Sequence, residues 1–278
     1  MPKADIRTQW ESAAPGWARW ETTVASWMEP ATETMLAMAG ADSGAWVLDL
    51  ASGAGSQTLQ AARRVGSGGH VVASDIADTM LHHVRENARA AGLANVTTVA
   101  GAAEDLDLPL ESFDAVICRL GLMLFVEPAR ALVAVRHALR PRGKIAIVVF
   151  TTPAANPFMA EPMQILLRHA RKPPPAPGQP GIFALGAPGV LERLLVDSGF
   201  LAVEQRTLAL PLRMPSAAQA LTMMQEAFGA YRAVVSDCPE VVRVAAWAEV
   251  AETLKRFETP NGFVAPAEVL VAAGMRPA

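Results

Sequence analysis

From residue 46 onward, short apolar runs alternate with amphipathic stretches. Trp46 to Leu50, His70 to Asp75, Asn95 to Ala100, Ser112 to Cys118, Ile145 to Phe150 and Leu201 to Leu208 are rich in Val, Ile, Leu, Ala or Thr. Their length is that of strands, and the most apolar of them read as buried parallel strands. Between them, Ser56 onward (Leu59, Ala62 and Val65 on one face), Asp78 to Ala91, Pro128 to Leu139 and Pro188 to Ser198 carry helical spacing. Pro128 starts its helix and Gly199 follows the last one as a C′ residue. Strands alternating with helices predict an α/β fold with a mostly parallel sheet. Gly262 to Ala273 closes the chain as a seventh strand.

Three segments lie outside this rhythm. Residues 5–40 predict two helices broken at Pro15-Gly16, with Trp10, Trp17, Trp20 and Trp27 roughly on one face. Thr151 to Phe183 holds a helical piece, Phe158 to Ala170, and a stiff polyproline-like loop, Pro173 to Gly181. Ser216 to Ala230 and Glu240 to Phe257 read as two more helices, with Met214, Met223 and Met224 as core or as adaptable pocket lining. Pro141 to Lys144 reads as a turn. No internal repeat is present.

Composition narrows the class without naming it. The chain has 278 residues, half of them apolar, and 18% are charged, so a large core is expected and disorder is not. A formal net charge of -3 leaves no nucleic-acid footprint. Cys118 and Cys238 form neither a disulfide framework nor a metal site, and no metal is expected. No run of about 18 apolar residues predicts a transmembrane helix, and the start, M-P-K-A-D-I-R, lacks the apolar region of a signal peptide. The expectation is a cytoplasmic protein without membrane attachment.

The candidate chemistry gathers at V-L-D-L-A-S-G-A-G-S-Q-T-L, residues 47–59. A strand runs into a loop of small residues and then into a helix. Gly53 and Gly55 permit positive φ and close approach of a ligand to the backbone. In an open α/β sheet this loop faces the crevice at the carboxyl ends of the strands. Thr58 stands where a dinucleotide fingerprint has its third glycine, and Asp49 suits a ligand carrying an amine better than a diphosphate. Asp75 follows at the end of the next strand, at the distance from which a carboxylate accepts from ribose hydroxyls. The competing reading of Asp75 is a helix cap, a task Asp78 is also placed to do.

D-L-A-S-G-A-G resembles the first motif of the class I S-adenosylmethionine (SAM)-dependent methyltransferases. F-D-A-V (residues 113–116), R-L-G-L-M-L-F (119–125) and L-R-P-R-G-K-I-A-I (139–147) resemble further elements of that family, the second of them a signature of its UbiE-like small-molecule branch. W-E-S-A-A-P-G-W near the start and F-E-T-P-N-G-F-V near the end are also similar to that branch. The resemblance implies a Rossmann-like seven-stranded sheet whose last strand is antiparallel, with the N-terminal helices and the helical insertions forming a cap. Residues 41–278 are then the SAM-binding domain, with insertions at about 151–183 and 214–258 read as walls of an acceptor pocket, and residues 1–40 either pack their tryptophans on that domain or form a helical lid over the cofactor. The expected cofactor residues are Asp49, Ala51, Ser52, Gly53 and Gly55 for the methionine part, Asp75 for the ribose, Ile76 and Met80 flanking the adenine, and Ala103, Glu104, Arg119 and Met123 nearby. An acid common in the family is replaced by Ala102, which leaves Glu104, Asp105 or the backbone to hold the adenine amine. Arg119 is either a ligand contact or the partner of an acid such as Glu104.

The implied reaction is methyl transfer from SAM, which leaves S-adenosylhomocysteine, to carbon or oxygen of a small, largely apolar metabolite such as a quinone or a product of secondary metabolism. Such a transfer depends on positioning and exclusion of water, and no catalytic residue is assigned. Of the five histidines only His169 lies near the expected mouth. No G-x-S-x-G, H-E-x-x-H or Walker loop is present. Alternatives are a SAM-binding protein with a non-methylating role, as a cyclase or an inactive partner, and behind it an NAD(P)-dependent oxidoreductase. The expected partner is the small-molecule acceptor, with a homo-oligomer through the N-terminal helices open. Removal of residues 1–30 is expected to leave the fold and abolish turnover.

Overall fold

A computed structural model describes residues 3–176 and 178–278; Met1, Pro2 and Pro177 of the segments discussed above lie outside the described residues. The first element is a single helix, α1 (Lys3–Ala39). Then follow β1 (Trp46–Leu50), α2 (Ser56–Val65), β2 (His70–Asp75), α3 (Asp78–Ala90), β3 (Val96–Ala100), β4 (Phe113–Arg119), α4 (Pro128–Ala138) and β5 (Leu139–Phe150). The second half adds α5 (Pro157–Ala170), α6 (Val190–Asp197), β6 (Leu201–Ala209), β7 (Leu212–Met214), α7 (Ala217–Ala227), α8 (Gly229–Val235), α9 (Glu240–Leu254), β8 (Glu258–Thr259), β9 (Gly262–Ala265) and β10 (Glu268–Met275).

Seven strands form one sheet in the order β3-β2-β1-β4-β5-β10-β6. The first five are parallel, and β10 runs antiparallel to both β5 and β6. The order reverses between β1 and β4, so their carboxyl ends open a crevice at the switch point where ligands of such sheets sit. The central strands are buried on both faces (Val47, Leu48, Val71, Val116, Ile117 and Ile147 are all fully buried), which explains their continuous apolar character. Burial of that character supplies the main drive for the fold, at roughly 25 cal/mol per Å² of apolar surface.

Four expectations are corrected. Pro15-Gly16 does not divide α1. Gly16 instead lets the backbone of α7 come close, since a Cβ there would stand 2.0 Å from the carbonyl oxygen of Glu226. Pro141 to Lys144 is a bulge inside β5, with Arg142 at φ 65 and the register to β4 slipping between Phe113 and Ala115. The last strand is two: β9 joins a small sheet, β7-β9-β8, and only β10 enters the large one. The first of the late helices is also two, α7 and α8.

The insertions pack on one another and on α1. The Tyr231 hydroxyl of α8 donates to the Met159 carbonyl of α5 at 2.7 Å, and Phe158 stacks edge-on against Phe263. α1 is not a detached lid. Its C-terminal half supplies Val24, Met28, Ala31, Met35 and Leu36 to the main core, and Trp27 donates its indole N–H to the Leu210 carbonyl at 2.7 Å. Its N-terminal half crosses the crevice, where Ala14, Trp10 and Trp17 pack on Ala54, Ala77 and Met80. No helix of the described residues is long and apolar enough to cross a membrane.

Candidate functional site

The crevice is built by the carboxyl ends of β1, β2 and β4. β1 ends at Leu50, and Ala51 takes φ 57, a conformation L-residues rarely adopt. β4 ends likewise, with Leu120 at φ 62. The two tips touch: a Cβ on Gly121 would stand 2.6 Å from the Ala51 Cβ, so that position needs glycine. Gly53, at φ 55, has nothing within 4 Å of where its Cβ would be, which leaves open space above the loop backbone.

Asp49 is fully buried under the loop. Its carboxylate accepts from the Thr58 hydroxyl at 2.5 Å and from the Gln57 amide at 3.4 Å. Thr58, which removes the dinucleotide fingerprint, is therefore the hydrogen-bond partner of this acid. Burial pushes the Asp49 carboxyl up to about 6, against the pull of Thr58, Arg119 and Gln57. Asp75 accepts from Gly53 N at 3.0 Å with one oxygen and from Ala77 N at 3.0 Å with the other. Burial raises it to about 6 as well. The Asp75–Gly53 bond ties the tip of β2 to the glycine loop, so both acids address one space. Asp75 also does part of the capping work that Asp78 was expected to take over; Asp78 instead reaches Arg85, at 3.8 Å.

Arg119, 9% exposed, donates to the Thr32 hydroxyl of α1 at 3.0 Å and to the Ser56 hydroxyl at 2.7 Å. Burial lowers it to about 10, and the charges of Asp49 and Glu21 hold it up. It thus faces acids of the crevice and not Glu104. Glu104 accepts instead from the backbone N–H groups of Val126 and Glu127, at the entry to α4. Ala103 and Met123 are buried in the main core, and the Met123 carbonyl accepts from Gly181 N, which docks the proline-rich loop on this side. Met80 is buried beneath Trp10 and Trp17, and Ile76 is half-buried beside Asp75. His169 is held by Glu249 at 2.8 Å, between α5 and α9.

Sequence reasoning missed two acids of α1. Glu11 accepts from Asp78 N at 2.8 Å and Thr79 N at 3.2 Å, which caps α3 from another helix and, chiefly through the Thr79 hydroxyl, lowers its own pKa. Glu21 accepts from Ser56 N and from the Asn87 amide at 2.8 Å. Burial pushes Glu21 up to about 7. Neither residue has a local signal, since each serves a helix far along the chain.

Two desolvated carboxyls, Asp49 and Glu21, therefore face one guanidinium, and a third, Asp75, adds its charge beside Asp49. Such an excess favours a cationic ligand, whose charge would compensate carboxylates already stripped of water. Two polar atoms here, Ser52 Oγ and Trp17 Nε1, are buried without a hydrogen-bond partner among the described residues. The donors, acceptors and open glycine backbone fit an amino-acid-bearing nucleoside sulfonium.

Residues 41–170 match the family model of a methyltransferase domain. The ubiquinone/menaquinone biosynthesis C-methyltransferase UbiE of Proteus mirabilis is 38% identical over 113 residues, covering 40% of this chain and 45% of the relative. Its counterpart in Blochmanniella pennsylvanica is 40% identical over 111 residues, covering 40% and 44%. The chain thus spans less than half the length of these curated relatives. The YcgJ protein of Bacillus subtilis superposes with a TM-score of 0.61 over 90% of this chain and 99% of its own, at 17% identity, and so shares the fold. Residues 41–170 thus match a methyltransferase domain, and within it the chain is similar to the UbiE C-methyltransferases.

Proposed function

We propose that the chain transfers a methyl group from SAM to a small, largely apolar acceptor, of which a quinone-like ring is one candidate, at carbon or oxygen. The observation that carries this reading is the pair of buried acids at the tips of β1 and β2, joined through the Gly53 N–H to one glycine loop. SAM, when bound, supplies a methyl carbon made electrophilic by its sulfonium.

Asp75 would accept from the ribose hydroxyls in addition to Gly53 and Ala77. Ile76 and Met80 would flank the adenine. Ala51, Ser52, Gly53 and Gly55 present backbone to the methionine part, and Asp49 and Arg119 set the field there. Glu104, Ala103 and Met123 form the far wall. Trp10 and Trp17, together with the insertions, keep water from the reacting centre, which strengthens every charge interaction inside it. The acceptor pocket is assigned to the N-terminal half of α1 and to segments 151–183 and 214–258. No base is required for a carbon acceptor that is already nucleophilic, and none is assigned. With a net charge of -3 and two free cysteines, a cytoplasmic role on a small molecule, without nucleic acid or membrane, fits best.

The test is calorimetry with SAM and S-adenosylhomocysteine, followed by transfer of labelled methyl to a panel of quinones, phenols and polyketide-like acceptors. Uptake of either nucleoside with product formation is the expected result. Tight uptake without transfer to any acceptor would favour a non-methylating role. Absence of uptake would remove the reading.

A further inference from the structure

Glu11, Glu21, Trp20 and Trp27 of α1 are hydrogen-bonded within the chain. The large unpartnered feature lies elsewhere, at the edge of the sheet. β6 is the last strand in the order, and seven of its nine residues, including Glu204, Gln205, Arg206 and Thr207, are exposed. It contains no proline, and its one irregular residue, Ala202 at φ 50, sits near its start. The opposite edge, β3, is five residues long, and its Thr97 and Thr98 are engaged by His70 and Arg85. A long open edge offers its backbone groups to another strand.

Glu204 and Arg206 stand two positions apart, hence on one face of β6, and among the described residues neither has an ion-pair or hydrogen-bond partner. Other charges beside this sheet do find partners, as in Arg140–Asp114 at 2.6 Å and Arg276–Glu111 at 2.7 Å.

We propose that two copies of the chain pair through β6, antiparallel about Gln205, so that the sheet continues across a two-fold axis. In this register Glu204 faces the partner's Arg206, Arg206 faces the partner's Glu204, and Val203 faces the partner's Thr207. Directly opposed residues of antiparallel strands share a face, so each opposite-charge pair is in contact. Slipping the centre to Arg206 would set two arginines against each other, and slipping it to Glu204 would oppose two glutamates. The charges thus select one register and penalise its neighbours. The axis stands perpendicular to the sheet, which brings the α6 helices of both copies to one face. Val196 and Leu201, each 53% exposed, would add apolar contact beside the paired strands. Strand and rim together must supply roughly 800 Å² per partner for a stable dimer.

Analytical ultracentrifugation of the full chain tests this with a charge swap. The wild type is expected to dimerise. R206E and E204R are each expected to weaken the dimer at least tenfold, about 1.4 kcal/mol, while the double reversal E204R/R206E restores it. Circular dichroism and thermal melting of the single variants check that they remain folded, and these exposed positions are not part of the crevice. A wild type that stays monomeric up to about 100 μM, well above the dissociation constants of standard-size interfaces, would overturn the proposal. So would a dimer indifferent to both reversals, or a double reversal that fails to recover.

Discussion

Asp49→Asn should make the ligand-free protein more stable and the cofactor complex weaker. The carboxyl is fully buried, and burial raises it from 3.8 to about 6. A group whose folded pKa is raised binds its proton more tightly in the folded state, so its ionisation opposes folding. The penalty is absent below about pH 4, grows between about 4 and 6, and is complete above 6. A rise of that size corresponds to about 3 kcal/mol. Asparagine keeps the shape and carries no charge. Its amide can donate to the Thr58 hydroxyl oxygen, and its carbonyl can still accept from Gln57, while the Thr58 hydroxyl proton loses its carboxylate acceptor at some cost. The Arg119 guanidinium loses one favourable charge, which offsets part of the gain. We expect a net stabilisation of about 1–2 kcal/mol at pH 8, or a rise of roughly 2–6 °C in Tm. Urea unfolding at pH 8 and at pH 4 measures it, and the difference between variant and wild type should vanish at the lower pH. SAM affinity at pH 8 should fall about tenfold or more, because a buried anion facing a cation has been removed. A variant less stable than wild type at pH 8, or a stability difference independent of pH, would refute the argument.

Asp75→Ala should weaken SAM binding at least tenfold by calorimetry, about 1.4 kcal/mol, and an unchanged dissociation constant would remove Asp75 from the site. SAM affinity of the wild type should decline as pH falls through about 6, where Asp49 and Asp75 take up protons and cease to compensate the cation; a flat profile from pH 8 to 5 would contradict this. Gly121→Ala drives a methyl group to 2.6 Å from Ala51 and 3.1 Å from the Cys118 sulfur, so it should lower stability by roughly 1–3 kcal/mol and weaken nucleoside binding, read by melting and calorimetry. Glu11→Ala should cost about 1 kcal/mol of stability through loss of the α3 cap, with the backbone amides of Asp78 and Thr79 exchanging faster.

The strand–glycine loop–helix unit was legible because its signals are local. A buried apolar run, two glycines and an acid lie close together between Asp49 and Gly55 and dictate one backbone path, and Asp75 sits at the matching end of the next strand. The failures share a cause. Pro15-Gly16 looks like a break until Glu226 of α7 is seen to approach Gly16, a contact between residues far apart along the chain. Glu104 was a candidate for the adenine because it lies near the expected place, yet its carboxylate turns to the amides that open α4. A charge at a known position along the chain does not reveal which way its side chain points.

The helix α1 carries this furthest, and it changes what truncation should do. A lid that closes by apolar contact alone would be dispensable for folding. This helix instead buries Trp27 and Met28 in the core, caps α3 with Glu11 and lays Glu21 on the first amide of α2. Removing residues 1–30 would therefore open a cavity against Leu210 and expose two helix N-termini at once. Each large buried side chain lost contributes roughly 2–5 kcal/mol, against a total stability of about 5–15 kcal/mol. The truncated chain is expected to melt far below the wild type or to aggregate, and not to persist as a folded, inactive domain. A Trp10→Ala/Trp17→Ala variant is the sharper probe of the lid. Both rings are half-buried over Ala54, Ala77 and Met80, and Trp17 reaches the rim of the main core at Phe228, so the fold should survive with a modest loss of stability while nucleoside affinity drops. Wild-type affinity and turnover in that double variant would show that the N-terminal half of α1 is packing alone.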